Sequence, residues 1–122
     1  MACYVRTYGR DRIRALLAEL SPDHLIANSD EAEFLGLDEP GFLPYTTLVV
    51  KHGSAPTAAR LPGGEWLEVP VVPVEEVRDT TGAGDAFAAG YLSAVILHDD
   101  TATACAAGNA LAAHALGRAG AL

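Results

Sequence analysis

Asp79-Thr80-Thr81-Gly82-Ala83-Gly84-Asp85-Ala86-Phe87-Ala88-Ala89-Gly90 is the stretch on which the reading of the chain turns. It is a glycine loop that opens directly into an apolar helix, expected over residues 85–97. Gly82 and Gly84 let the backbone turn tightly and approach a ligand closely. The N–H groups of Gly82, Ala83 and Gly84 can then point outward from the helix N-terminus and form an anion hole, reinforced by the helix dipole. Asp85, in the first turn, would stand beside a phosphate held there, where a base takes the proton from an attacking hydroxyl. Two plainer readings stand beside this one. Acids are favoured in a first helical turn by the dipole alone, and a Gly-x-Gly pair is by itself a weak signal. Other phosphate loops are absent: there is no Gly-x-x-x-x-Gly-Lys-Ser/Thr, and no third glycine at the dinucleotide-binding spacing.

Outward from this stretch the chain alternates helix and strand. Ile13, Leu16, Leu17 and Leu20 fall on one face of a helix over 11–20, after the polar and irregular opening MACYVRTYGR. Ser21-Pro22-Asp23 stops that helix. HLIA (24–27) reads as a buried strand, SDEAEFLGL as a helix fading near Gly36, and residues 39–45 as a loop. TTLVVK (46–51) is a β-branched central strand, ended by Gly53. This order favours a parallel pair with a crossover. A hairpin turning at Gly63-Gly64 follows, then an extended run to Val74. A last helix over roughly 101–116 has Asp99 or Asp100 as its cap and Gly117 at its end. Trp66 and Phe87 read as core. No repeat, linker or low-complexity segment marks a domain boundary.

At 122 residues the chain has room for one compact domain. Its net charge of −8 disfavours nucleic acid or an anionic membrane as partner. It does not disfavour a nucleotide, whose phosphates are held by backbone N–H groups and Mg²⁺. Cys3 and Cys105 form no Cys-x-x-Cys pair, and the four histidines show no zinc spacing. No signal peptide and no spanning apolar run is visible, so the expectation is a cytoplasmic protein with reduced thiols.

The run 79–90 resembles the C-terminal motif of the ribokinase-like family, the phosphofructokinase-B type carbohydrate kinases, at essentially every specified position. The resemblance extends from about residue 11 onward and corresponds to the C-terminal portion of a family member. It implies an α/β fold, the C-terminal part of a three-layer α/β/α sandwich with a mostly parallel sheet, with residues 1–122 forming a single partial domain. It also implies ATP-dependent transfer of the γ-phosphoryl group to a hydroxyl of a sugar or related small molecule, with a nucleoside as the alternative acceptor. Asp85 would be the general base, and Gly82, Ala83 and Gly84 the anion hole. Asp79 and Thr81 would be candidates for a monovalent cation, K⁺.

Asn28-x-x-Glu31 matches a family motif that helps hold the Mg²⁺ of Mg·ATP through water. The same residues also read as a capping box, and both readings can hold at once. Lys51 and Gly53 match positions near phosphate or ribose, although Lys51 also reads as a solvated strand-end lysine. Pro56 stands where the family often has a second glycine. Ala106, Gly108 and Asn109 fall where a family helix lines the adenine pocket; plain helix packing with an exposed Asn109 is the other reading. The part of a family member that supplies the acceptor pocket and lid has no counterpart in these residues. The corresponding expectations are an unpaired strand edge, self-association or a separate N-terminal partner chain, and the alternative of a nucleotide-binding remnant without turnover.

Overall fold

The computed structural model describes residues 2–74 and 82–117, with side chains from residue 9 onward. Along the chain lie α1 (Ala2–Leu20), β1 (His24–Asn28), α2 (Ser29–Leu35), β2 (Thr47–His52), β3 (Ala55–Arg60), β4 (Trp66–Val69), α3 (Ala83–Ile96) and α4 (Thr101–Leu116). The four strands form one sheet in the order β1-β2-β3-β4. β1 and β2 pair in parallel, with Leu25 opposite Leu48 and Asn28 opposite Lys51. The links after β2 and β3 are too short for a crossover, so those strands return as hairpins.

The chain divides into two compact units, residues 1–51 with 59–66, and residues 52–58 with 67–122. In the first, Ala27, Ala32, Leu37, Leu48 and Val50 form the core, with Leu17, Leu25, Leu35 and Phe42 packed against it. α2 has only seven residues, so its stability depends on its ends. Gly36, at φ 62°, donates to Glu33, and Leu37 N–H reaches Ala32 O at 3.0 Å. This reverse turn places Leu37 beside Ala32 in the core. Two arginines one turn apart on α1 take the remaining carbonyls: Arg10 Nε donates to Phe34 O at 2.8 Å, and Arg14 Nη1 to Leu35 O at 2.6 Å.

Those arginines explain a departure from expectation. The opening is helical from Ala2 and not irregular. It contains no proline, and the amphipathic segment that follows propagates backward through it, carrying Arg10 to the end of α2. The run after β4 departs in the opposite direction. The strand stops at Val69, and residues 70–74 take no regular form. Pro70 and Pro73 lack the N–H that a ladder requires.

In the second unit α3 and α4 pack at backbone distance. A Cβ on Gly90 would lie 2.6 Å from Ala107 O, and one on Gly108 would lie 2.6 Å from the Phe87 ring. Phe87 and Tyr91 are fully buried and stacked, with centroids 6.1 Å apart. Cys105 is a buried free thiol. Burial pushes the Cys105 thiol up to about 11 and the Tyr91 phenol up to about 12, so both stay protonated near neutrality. Asp100 is the cap of α4, accepting from Thr103 N–H at 2.7 Å.

Candidate active site

α3 begins at Ala83, two residues earlier than the sequence suggests, so Asp85 is its third residue. Gly82 precedes it at φ 82°, a conformation that strains any residue with a Cβ. The first helical bond runs from Ala86 N–H to Gly82 O at 2.8 Å. The N–H groups of Ala83, Gly84 and Asp85 therefore have no helical acceptor. No side chain of a described residue caps them. Ala83 and Gly84 of the candidate anion hole thus offer N–H groups without a helical acceptor, and the N–H of Asp85 stands beside them.

Gly84 is helical and exposed, and a Cβ added there would meet nothing within 4 Å. Neither backbone angle nor packing demands a glycine at this position, which leaves the approach to the bare N–H groups clear. Asp85 is exposed and makes no hydrogen bond or ion pair with another described residue. A carboxylate beside unpaired donors can accept a proton while an anion occupies the donors. Asp79 and Thr81, the cation candidates, lie outside the described residues.

In the first unit, Asn28 and Glu31 close the capping box in both directions. Glu31 N–H donates to Asn28 Oδ1 at 2.8 Å, and Asn28 N–H donates to Glu31 Oε1 at 3.0 Å. Both residues remain exposed, and Glu31 Oε2 is outside the box. Hard oxygen donors of this kind suit Mg²⁺ held through water. Lys51 lies opposite Asn28 at the carboxyl end of the parallel pair, the end where open α/β sheets bind ligands. Burial holds its ammonium below the usual lysine range.

Gly53 sits at φ 62° in the exposed turn after β2, and Pro56 is exposed at the start of β3. Asn109 is 1% exposed, not the exposed residue of the packing alternative. Its Oδ1 accepts from Thr57 Oγ1 at 2.9 Å, and its Nδ2 donates to Pro70 O at 3.1 Å. With its carboxamide engaged at both ends, Asn109 acts as an internal tie between α4, β3 and the segment after β4. A contact to a base edge would require breaking that tie. Ala106, one turn away, is exposed. Thr57, the partner of Asn109, carries no motif that would have singled it out. Trp66, read as core, is 45% exposed, whereas Phe87 is core as expected. Among the described residues no three His, Cys, Asp or Glu side chains cluster as a metal site, and no helix is long and apolar enough to cross a membrane.

The profile of the pfkB family carbohydrate kinases matches residues 3–122, so the likeness includes the opening helix and does not start near residue 11. The chain belongs to the pfkB family. It is 38% identical over 92 residues to the ATP-dependent ribose-1-phosphate kinase of Halopiger xanaduensis, covering 75% of this chain and 29% of that one. It is 48% identical over 48 residues to the 2-dehydro-3-deoxygluconokinase of Dickeya dadantii, covering 38% of this chain and 16% of that one. Among solved structures, adenosine kinase from Sinorhizobium meliloti superposes with a TM-score of 0.79 at 27% identity, covering 92% of this chain and 36% of that one. The chain thus spans under two fifths of the length of each of these relatives, and the fold they share with it is that of the ribokinase-like kinases.

Proposed function

We propose that this chain carries the phosphoryl-transfer portion of an ATP-dependent kinase acting on a hydroxyl of a sugar or nucleoside. The observation that carries this reading is the N-terminus of α3. It has three N–H groups without a helical acceptor, no side-chain cap among the described residues, a glycine without a packing role at its second position and an exposed carboxylate at its third. The acceptor oxygen attacks the γ-phosphorus of ATP and its proton passes to Asp85. The bond from the γ-phosphorus to the bridging oxygen breaks, and ADP leaves. The N–H groups of Gly82, Ala83 and Gly84, with that of Asp85 beside them, stabilise charge on the transferring group. Asn28 and Glu31 would hold the Mg²⁺ of Mg·ATP through water, where its charge offsets that of the phosphates. Lys51 and Gly53 would lie along the nucleotide, and Asp79 and Thr81 would hold K⁺.

The named relatives phosphorylate different acceptors, which leaves sugar and nucleoside both in play here. ADP release with Mg·ATP across a panel of both, comparing the parent protein with Asp85→Asn, tests the reading. The expected result is acceptor-dependent release that Asp85→Asn abolishes while nucleotide binding persists. Retained turnover in that variant would refute the base assignment. Mg·ATP binding without turnover for any acceptor would leave a nucleotide-binding portion that works only with further chain.

A further inference from the structure

We propose that the first unit holds a second small-molecule site, for a phosphorylated sugar or polyol, in the cavity walled by Arg60, Asp38 and Trp66. The cavity measures about 310 Å³, within the range of sites for small ligands. It opens beside the loop that precedes β2 and at the carboxyl end of β3. Asn28 and Lys51 stand at the other end of β2, which six extended residues carry roughly 20 Å away. A ligand in the cavity therefore leaves the nucleotide candidates of this unit free.

Arg60 is 6% exposed. Its guanidinium donates to Phe42 O at 3.0 Å, Leu43 O at 3.1 Å and, more weakly, Leu37 O at 3.4 Å. These carbonyls engage three of its five N–H groups and neutralise none of its charge. No carboxylate of a described residue lies within ion-pair distance of it; the neighbouring Glu39 is taken by Arg14 at 2.8 Å. A buried cation ordinarily has an anionic partner. Here one can come from the cavity, and a guanidinium suits a phosphate group.

The other walls select among anions. The exposed Asp38 carboxylate repels a bare phosphate but accepts hydrogen bonds from hydroxyls. Trp66, half-exposed, lines the cavity, and an indole is a surface on which the C–H face of a sugar ring can pack. An oxyanion carrying hydroxyl groups satisfies all three walls, whereas inorganic phosphate satisfies one.

Trp66 is the only tryptophan of the chain, so its fluorescence reports directly on the cavity. The test is titration of the protein with ribose 5-phosphate, ribose and inorganic phosphate, each with and without saturating Mg·ATP. The expected result is a saturable change with ribose 5-phosphate that Mg·ATP does not compete away, a weaker response to inorganic phosphate and none to ribose. Arg60→Lys, which loses the forked donor, should weaken ribose 5-phosphate about tenfold. Asp38→Asn, at an exposed position that leaves the fold intact, should bring inorganic phosphate and ribose 5-phosphate closer together. No saturable change with ribose 5-phosphate would overturn the proposal, as would competition by Mg·ATP, or an unchanged ranking of the two anions in Asp38→Asn. Equal responses to inorganic phosphate and ribose 5-phosphate in the parent protein would reduce the site to a plain anion hole and overturn the sugar assignment.

Discussion

α2 and α3 each carry an acid as their third residue, Glu31 in one and Asp85 in the other. Glu31 turns back to the N–H of Asn28, and Asn28 returns the bond, so the start of α2 is closed by its own side chains. α3 follows a glycine in the left-handed region that has no side chain to offer, and its acid stays in solvent. The same dipole favours both acids. What separates them is the residue two places before the helix's second position: asparagine supplies a capping side chain, and glycine has none to supply. α4 falls on the α2 side of this contrast, with Asp100 bonded to Thr103 N–H.

The sharpest way to break the comparison is to neutralise both acids alike. Asp85→Asn should lower turnover by roughly 10²- to 10⁴-fold, the usual contribution of a general base. Glu31→Gln preserves the capping box, because glutamine serves there as well as glutamate. It should leave the thermal midpoint unchanged and only raise the Mg²⁺ concentration needed for half-maximal ADP release. Equal losses in the two variants would remove the distinction. Next in size is the support beneath α3. Gly90→Ala places a methyl 2.6 Å from Ala107 O, and the overpacking should cost about 1–3 kcal/mol, read as a lower urea midpoint.

Gly84→Ala should act in two directions. A better helix former at an open position raises stability by up to about 1 kcal/mol. The same methyl obstructs the bare N–H groups, so Mg·ATP binding measured by calorimetry should weaken. A variant that is both more stable and binds as well would show that the glycine has no ligand to serve. The smallest effect concerns pH. The Thr103 N–H bonded to it holds the Asp100 carboxyl below its ordinary value. The capping contribution is therefore present above about pH 4, the unfolded value, and is lost as pH falls through the lowered folded value. Asp100→Asn keeps a neutral cap, so its melting curve should part from the parent's only in that acid window.

Much of this was legible in the sequence because it is local. The capping box, the helix end near Gly36, the strands over 24–27 and 46–51, the hairpin at Gly63-Gly64 and the helix over 101–116 follow from neighbours within a few residues, and the parallel pairing from the order of the elements. What escaped depends on partners far along the chain. The opening helix looks polar and unstructured until Arg10 and Arg14 find the carbonyls at the end of α2, more than twenty residues away. Asn109 reads as a surface residue until Thr57 and Pro70 enclose it. Trp66 reads as core by type alone, yet its hairpin leaves it half in solvent. For the site the division is similar. The glycines and Asp85 are marked by their own order, whereas the start of α3 at Ala83, two residues before the expected one, is not.

The buried thiol of Cys105 has a practical consequence. Wholly enclosed and held protonated, it is closed to alkylating reagents while α3 and α4 remain together. Each opening of that helix pair would expose it, and a reagent in excess would mark the event permanently. With Cys3 replaced by serine, the rate of labelling becomes a clock for the breathing of the element that carries Asp85, and a bound nucleotide should slow it.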